Sequence, residues 1–351
     1  MVEMDLTPEA MKREARRGIA ALVAQAGEKI PASNAGGDID AVIAAARILF
    51  GKGKIASADA ALAAADRDEA AQARQRRLPL LKELAFLRGT TFNFSDARES
   101  LAKLAQLIGP DCRAWIGLGD EWQTKGSLWL AAEAFVAARK ASDHPPDAMA
   151  ARSRLGDVTV EQGNLAEAAK LFREGLAVAE TLIKADPGNA GWRRDLSVPY
   201  NKLGDVFVAQ GNLAEALKCC RAGLSIAEAL SKADLGNAGW RRDLSVFFNK
   251  YGDVFFMQGI LAEALKSYCA GFSIAEALSK DDPGNAGWRR DVAISRGKLG
   301  GLHAASGNRS KAQAEYAAGR AIMWDLTALS PDNAIWRDDL ANFEARLAEL
   351  G

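Results

Sequence analysis

Histidine is nearly absent from this 351-residue chain, which has only His144 and His303. So small a supply argues against a histidine-based triad and against a metal site with several histidine ligands. Cysteine is also sparse. Cys112, Cys219, Cys220 and Cys269 form no CxxC pair, which points to buried free thiols in a reducing compartment rather than to a disulfide framework or a metal site. Neither sign of charge is in excess, with 45 basic and 45 acidic side chains. Bulk binding to nucleic acid or to an anionic membrane needs a surplus of Lys and Arg, so neither is expected. No apolar run reaches the ~20 residues of a membrane span. The N-terminus, MVEMDLTPEAMKREARRGIAALVAQ, mixes acids and bases and lacks the apolar core of a signal peptide. A soluble, cytoplasmic protein is the expectation.

What the chain does have is a period. Trp192, Trp240, Trp288 and Trp336 are spaced by 48 residues, as are Gly204, Gly252 and Gly300, and Gly211, Gly259 and Gly307. The run GNAGWRRDLSV at Gly188 to Val198 recurs letter for letter at Gly236 to Val246. Such a period predicts a stack in which each unit buries its apolar face only against its neighbours. The Ala-, Leu- and Gly-rich composition favours helix.

Within one unit, Asp186-Pro187-Gly188-Asn189 reads as a turn whose Asn can cap the next helix. A first helix then carries Trp192, Leu196, Tyr200, Leu203 and Phe207 on one face, in steps of three and four. Gln210-Gly211-Asn212 breaks it. A second helix follows, with Ala216, Leu217, Cys220, Leu224 and Ala227 inward. Pro199 lies midway along the first helix, where it is expected to kink it or mark its start. Glycine inside a helix costs about 1 kcal/mol relative to Ala. Yet Gly204 recurs as Gly156 and Gly252, and Gly223 recurs as Gly175, Gly271 and Gly319. Close helix crossing is the natural reason.

These positions resemble the tetratricopeptide repeat family, with Leu-Gly in the first helix, Gly at the turn, then Ala, an aromatic and a small residue in the second. Here they are Leu155-Gly156, Gly163, Ala168, Phe172 and Gly175, and again Leu299-Gly300, Gly307, Ala312, Tyr316 and Gly319. Leu203-Gly204 pairs instead with Cys220. Upstream, Leu118-Gly119, Gly126, Ala131, Phe135 and Ala138 fit with a shorter period. Family units run about 34 residues, so the 48-residue units carry extra helical turns. The resemblance implies an all-α, right-handed α-α superhelix of stacked antiparallel helix pairs, about seven units in all. The expected organisation is an N-terminal helical segment (1–40), short-period repeats (41–140), 48-residue repeats (141–333) and a closing helix (334–351). In that closing helix Leu340, Phe343, Leu347 and Leu350 are expected inward, and Arg337, Asp338 and Asp339 outward.

Chemistry is harder to find. Gly51-Lys52-Gly53-Lys54 lacks the first Gly and the Ser or Thr of a phosphate loop, and no strand precedes it; it reads as an inter-helix turn. His303 replaces Phe255 of the preceding unit and reads as a core or edge substitution. Two polar ladders remain. The first is Asn201, Lys202 and Asp205, repeated as Asn249, Lys250 and Asp253, with echoes at Arg154, Asp157 and Lys298. In the family, equivalent positions line the concave groove and bind peptides. The family's clamp for a terminal carboxylate has Asn where Asp205 and Asp253 stand, so a mixed-charge peptide or helix fits better. Alternatively, Lys202–Asp205 and Lys250–Asp253 are only i,i+3 surface pairs. The second ladder is Arg193 and Arg194, Arg241 and Arg242, Arg289 and Arg290, each pair followed by Asp. It could receive an acidic partner or a phosphate backbone, or form a solvated or inter-repeat ion-pair network, since each Asp accompanies its arginines.

The expected function is a non-catalytic scaffold that binds a segment of an unidentified partner protein, with no cofactor and no membrane. Two rival readings are a regulatory module acting with a separate enzyme, and a nucleic-acid-binding helical repeat, which the zero net charge opposes. A homo-oligomer is left open.

Overall fold

Asparagine opens the helices that begin with the 48-spaced tryptophans. The side chain of Asn189 accepts a hydrogen bond from the Trp192 amide at 3.1 Å, and Asn237, Asn285 and Asn333 do the same for Trp240, Trp288 and Trp336. Just before, the Asp186 carboxylate accepts from the Gly188 amide, as Asp234 does from Gly236 and Asp282 from Gly284. The repeated Asp-x-Gly-Asn-x-x-Trp string is thus a turn and cap in one, satisfying amides that a helix start leaves without partners.

The computed structural model describes residues 39–69 and 74–351, so nearly all of the expected N-terminal segment lies outside the described residues. The described residues form α-helices joined by turns, and among them there is no strand. The helices are α1 (Ile39–Gly51), α2 (Ile55–Glu69), α3 (Arg74–Thr90), α4 (Phe94–Ile108), α5 (Cys112–Thr124), α6 (Leu128–Ala141), α7 (Pro145–Glu161) and α8 (Leu165–Ala185). They continue with α9 (Ala190–Ala209), α10 (Leu213–Ala233), α11 (Ala238–Met257), α12 (Leu261–Asp281), α13 (Ala286–Ala305), α14 (Arg309–Leu329) and α15 (Ala334–Leu350). This is the all-α repeat of helix pairs expected from the sequence. The extra length is visible directly: α5 and α6 have 13 and 14 residues, α9 and α10 have 20 and 21. Gly163, Gly211, Gly259 and Gly307 each turn one helix into the next at φ between 73° and 86°, which side chains disfavour.

The chain divides into two compact units between Val178 and Ala179, within α8. In the N-terminal unit one continuous core runs from Ile43 to Leu171 and includes the fully buried Trp122, Phe86 and Phe135. In the C-terminal unit the core is broken into smaller clusters. One gathers Leu224, Ala227 and Phe247, another Phe255, Tyr268 and Leu299, another Tyr316, Met323 and Phe343. There α9 packs on α10 and each later helix on the one before, and the first helices α9, α11 and α13 also touch in succession.

The recurrent helix glycines are close-approach positions. A Cβ on Gly156 would lie 2.4 Å from the Phe172 ring, and one on Gly252 or Gly300 would lie 2.6 Å or 2.8 Å from Tyr268 or Tyr316. Gly204 faces the smaller Cys220, with 3.2 Å to its sulfur. Gly223 lets the ring of Phe247 approach to 2.1 Å from where its Cβ would be, and Gly319 admits Phe343 to 2.4 Å. Gly175 is different: its nearest neighbour is Met149, at 3.9 Å. Pro199 does not mark a helix start: α9 begins at Ala190 and runs through it to Ala209. Its ring is buried, and Ser197 just before it turns its hydroxyl onto the Arg194 carbonyl at 2.7 Å.

The cysteines depart in one place. Cys112, Cys219 and Cys220 are buried free thiols, but Cys269 is exposed, because it stands on the outer face of α12 where the preceding copy has Arg221. Burial pushes the Cys220 thiol up to about 12, so it stays protonated and inert.

Candidate functional site

The first ladder sits on the first helices, α7, α9, α11 and α13, and its charges meet across repeats. Lys250 Nζ donates to both oxygens of Asp205, at 2.5 and 2.6 Å, and Lys298 Nζ donates to Asp253 at 2.7 Å. In the N-terminal unit Arg154 reaches back to Asp120 at 3.4 Å. Asp157 on α7 and Lys202 on α9 hold the matching places and are half-buried. So Lys250 does not turn to Asp253 three residues on. Its partner lies 45 positions earlier, on the neighbouring first helix.

Asn201 and Asn249 lie deeper. The Asn249 amide donates to Ser295 Oγ at 2.9 Å. Its Oδ1, like that of Asn201, is buried without a hydrogen-bond donor. Oδ1 of Asn249 lies 2.8 Å from where a Cβ on Gly271 would be. That glycine therefore makes room for a polar side chain, whereas Gly223 makes room for a ring.

The arginine ladder is an ion-pair chain between repeats. Arg194 reaches Asp243 at 2.5 and 3.3 Å, Arg242 reaches Asp291 (3.0 Å from Nη2), and Arg290 reaches Asp339 at 2.6 Å. The hydrogen bonds to Asp243 and Asp291 raise the Arg194 and Arg242 guanidinium pKa still further. The alternate arginines bond within their own helix pair or the turn before it. Arg193 donates to the Pro187 carbonyl, Arg241 to Asp281 at 2.9 Å and Arg289 to Asp325 at 3.2 Å. Asp339 thus faces the stack rather than solvent, contrary to the outward place expected for it. The Arg290 guanidinium draws it in.

Where the first ladder ends, a cavity of about 580 Å³ opens between α11, α13 and α15. Its floor holds Tyr268 and Tyr316, and its walls include Ile294, Leu302 and Phe343. Asp253 and Lys298 enter from one side, Asn342, Arg346 and Glu349 from the closing helix. Tyr268 donates its hydroxyl to Asp253 at 2.7 Å, so this carboxylate is held by both Tyr268 and Lys298. Burial, then the Asp253 charge, pushes the Tyr268 phenol well above its usual range. It remains a hydrogen-bond donor at every physiological pH.

The cavity joins Asp253 and Lys298 of the sequence candidates. It does not include Arg154, Asp157, Asn201, Lys202, Asp205, Asn249 or Lys250. Tyr268, Asn342 and Arg346 were not foreseen. Tyr268 stands at the repeat's aromatic position, which reads as pure core, and nothing in the sequence brings α15 against α13. The carboxylates Asp243 and Asp291 follow the arginines in the sequence ladder, and the ion-pair network between repeats expected of that ladder is what forms.

Residues 149–187 match the family model described as Tetratricopeptide repeat. No curated protein matches the chain. Among solved structures, the chain is similar to BtubC (BKLC) from P. vanneervenii at 15% identity and TM-score 0.49, covering 73% of this chain and 93% of that one. It is similar to the nearly identical TPR-like repeats of a putative kinesin light chain from Podosopora anserina at 17% identity and TM-score 0.46, covering 61% and 95%. A C-terminal part of a TPR repeat-containing protein from Cytophaga hutchinsonii aligns at 12% identity and TM-score 0.41, covering 85% and 99%.

Proposed function

We propose that this chain, which carries the tetratricopeptide repeat, is a scaffold that holds a segment of a partner protein against the first helices of its C-terminal unit. The cavity between α11, α13 and α15 is the anchor point, and it is the observation that carries the reading. It pairs an apolar floor with a rim of both charge signs, the arrangement that buries one apolar anchor while polar groups set orientation. The first ladder supports the same reading. Lys250 and Lys298 are already neutralised by Asp205 and Asp253, so neither is a surplus cation for a terminal carboxylate or a phosphate. The partner segment that fits is of mixed charge with one aliphatic or aromatic anchor. The stacked helices bring this surface to the partner already ordered, so only the partner loses freedom on binding.

The engaged arginines favour the scaffold over a nucleic-acid reading. Arg194, Arg242 and Arg290 are each held by a carboxylate of the next repeat.

The test is selection of displayed random peptides on the intact protein, with counter-selection on Asn342→Trp. Asn342 is exposed at the cavity mouth, so the indole can fill the cavity without disturbing the core. Peptides that bind the wild type and lose about ten-fold or more on Asn342→Trp would support the anchor. Binders indifferent to that change, or none at all, would count against it.

A further inference from the structure

Large apolar side chains are exposed together near the end of the C-terminal unit. Trp324 is 61% exposed and Leu329 is 70% exposed, both on α14. In the three preceding copies the place of Trp324 is taken by Glu180, Glu228 and Glu276. The exchange extends along the helix. Ser310, Ala314, Ala317, Ala321, Trp324 and Ala328 are all exposed and follow one another in steps of four and three. On α10 the places of Ala314, Ala317, Trp324 and Ala328 hold Lys218, Arg221, Glu228 and Lys232. On α12 the last two of those places form an ion pair, Lys280 to Glu276 at 2.9 Å. The last copy has lost the charge from each of these positions and gained a tryptophan.

We propose that this face of α14 is the contact through which two copies of the chain pair, helix against helix and antiparallel. The alternating steps of four and three describe a stripe that another helix covers along its length. A two-fold axis at Gly319 makes the stripe complementary to itself. Trp324 of each copy then falls on Ala314 of the other, Ala317 on Ala321, and Ser310 on Ala328. Large meets small where Trp324 lies on Ala314, small meets small in the layers between and beyond, and each layer recurs across the axis, as a two-fold contact requires. Charge selects the same direction. Antiparallel pairing brings Asp325, beside Trp324, to within one turn of Lys311 of the other copy, at both ends. Parallel pairing would set Trp324 on Trp324. Asp325 also accepts from Arg289 at 3.2 Å and is exposed enough to serve both. A helix of 21 residues is about 31 Å long, so the stripe extends over most of a helix-to-helix contact. This pairing does not depend on the groove reading, since the stripe and the cavity share no residue.

The experiment is sedimentation equilibrium of the full chain up to about 100 μM, a range that detects weak dimers. Wild type is expected to pass from monomer to dimer as concentration rises. Trp324→Glu with Ala328→Lys recreates the Glu276–Lys280 pair of α12, so it should keep its helicity while its dimer dissociation constant rises at least about ten-fold. Ala317→Arg, which introduces the residue that Arg221 supplies on α10, should do the same and decides the matter if the double variant does not fold. A wild type that stays monomeric throughout, or a dimer that none of these substitutions weakens, would overturn the proposal.

Discussion

The two units hold their helices together in different ways. In the N-terminal unit, large side chains are fully buried in one continuous core, and three ion pairs meet on α3, through Lys82, Glu83 and Arg88. Glu83 takes a two-pronged bond from Arg47 at 2.9 and 3.0 Å, while Arg88 binds Asp59 at 2.7 Å and Ser100 at 3.0 Å. In the C-terminal unit the clusters are small, and identical charges repeat at the surface, with Arg194, Arg242, Arg290, Lys250 and Lys298 each meeting a carboxylate one repeat away. The difference follows from copying. A near-exact copy presents the same residue at the same place, so any pair that bridges two copies forms again at each junction. A core built from unlike units can instead fit large side chains to one another individually.

The largest test of this contrast is Trp122→Ala, which removes a fully buried ring from the N-terminal core. A loss of about 4 kcal/mol is expected. Because a repeat array need not unfold as one, hydrogen exchange read by mass spectrometry is the measurement. Protection should fall across α5 to α7, and unchanged exchange there would break the comparison. Next, Gly223→Leu should cost about 3 kcal/mol by driving a side chain into Phe247. Gly175→Ala, at the same repeat position, should instead gain about 1 kcal/mol, because only Met149 lies near and alanine favours helix. Equal effects in the two variants would mean that position, not local packing, governs these glycines.

Acid should find the N-terminal unit through Glu121. Burial pushes its carboxyl upward, but hydrogen bonds from Lys125 (2.8 Å) and Lys82 (3.0 Å) outweigh this and leave it below the usual glutamate range. A lowered folded-state pKa adds stability above the unfolded value. That stability is lost as pH falls through the folded value. Glu121→Gln should therefore be less stable than wild type at pH 7 and approach it near pH 3, in thermal melts at the two pH values. The smallest effect belongs to the surface ladder. Asp243→Asn should cost no more than about 1 kcal/mol, since both partners are partly solvated. Its cost should shrink further in high salt. A large, salt-independent loss would show that the ladder carries the stack.

The period, the caps and the glycine positions were readable from the letters, because each rests on contacts within a few residues or on a rule repeated four times. Asn189 before Trp192 announces its own hydrogen bond. The ladders were visible as patterns, but their pairing was not. Lys250 has Asp253 one turn away and still bonds to Asp205, because stacking brings the neighbouring first helix closer to its ammonium group. Pro199 left two outcomes open, a kink or a helix start, and the structure removes the second: α9 runs through it with its ring buried.

The sequence by itself determined that this is a stack of helix pairs with capped starts, glycine turns and two periodic lines of charge, since these depend on local backbone preference and on repetition. Only the tertiary structure decided which charges meet, that Gly271 accommodates Asn249 rather than a ring, that Asp339 is drawn inward, and that α11, α13 and α15 enclose a cavity. Those outcomes depend on distances between residues far apart in the chain, set by how bulky each helix face is where it crosses its neighbour.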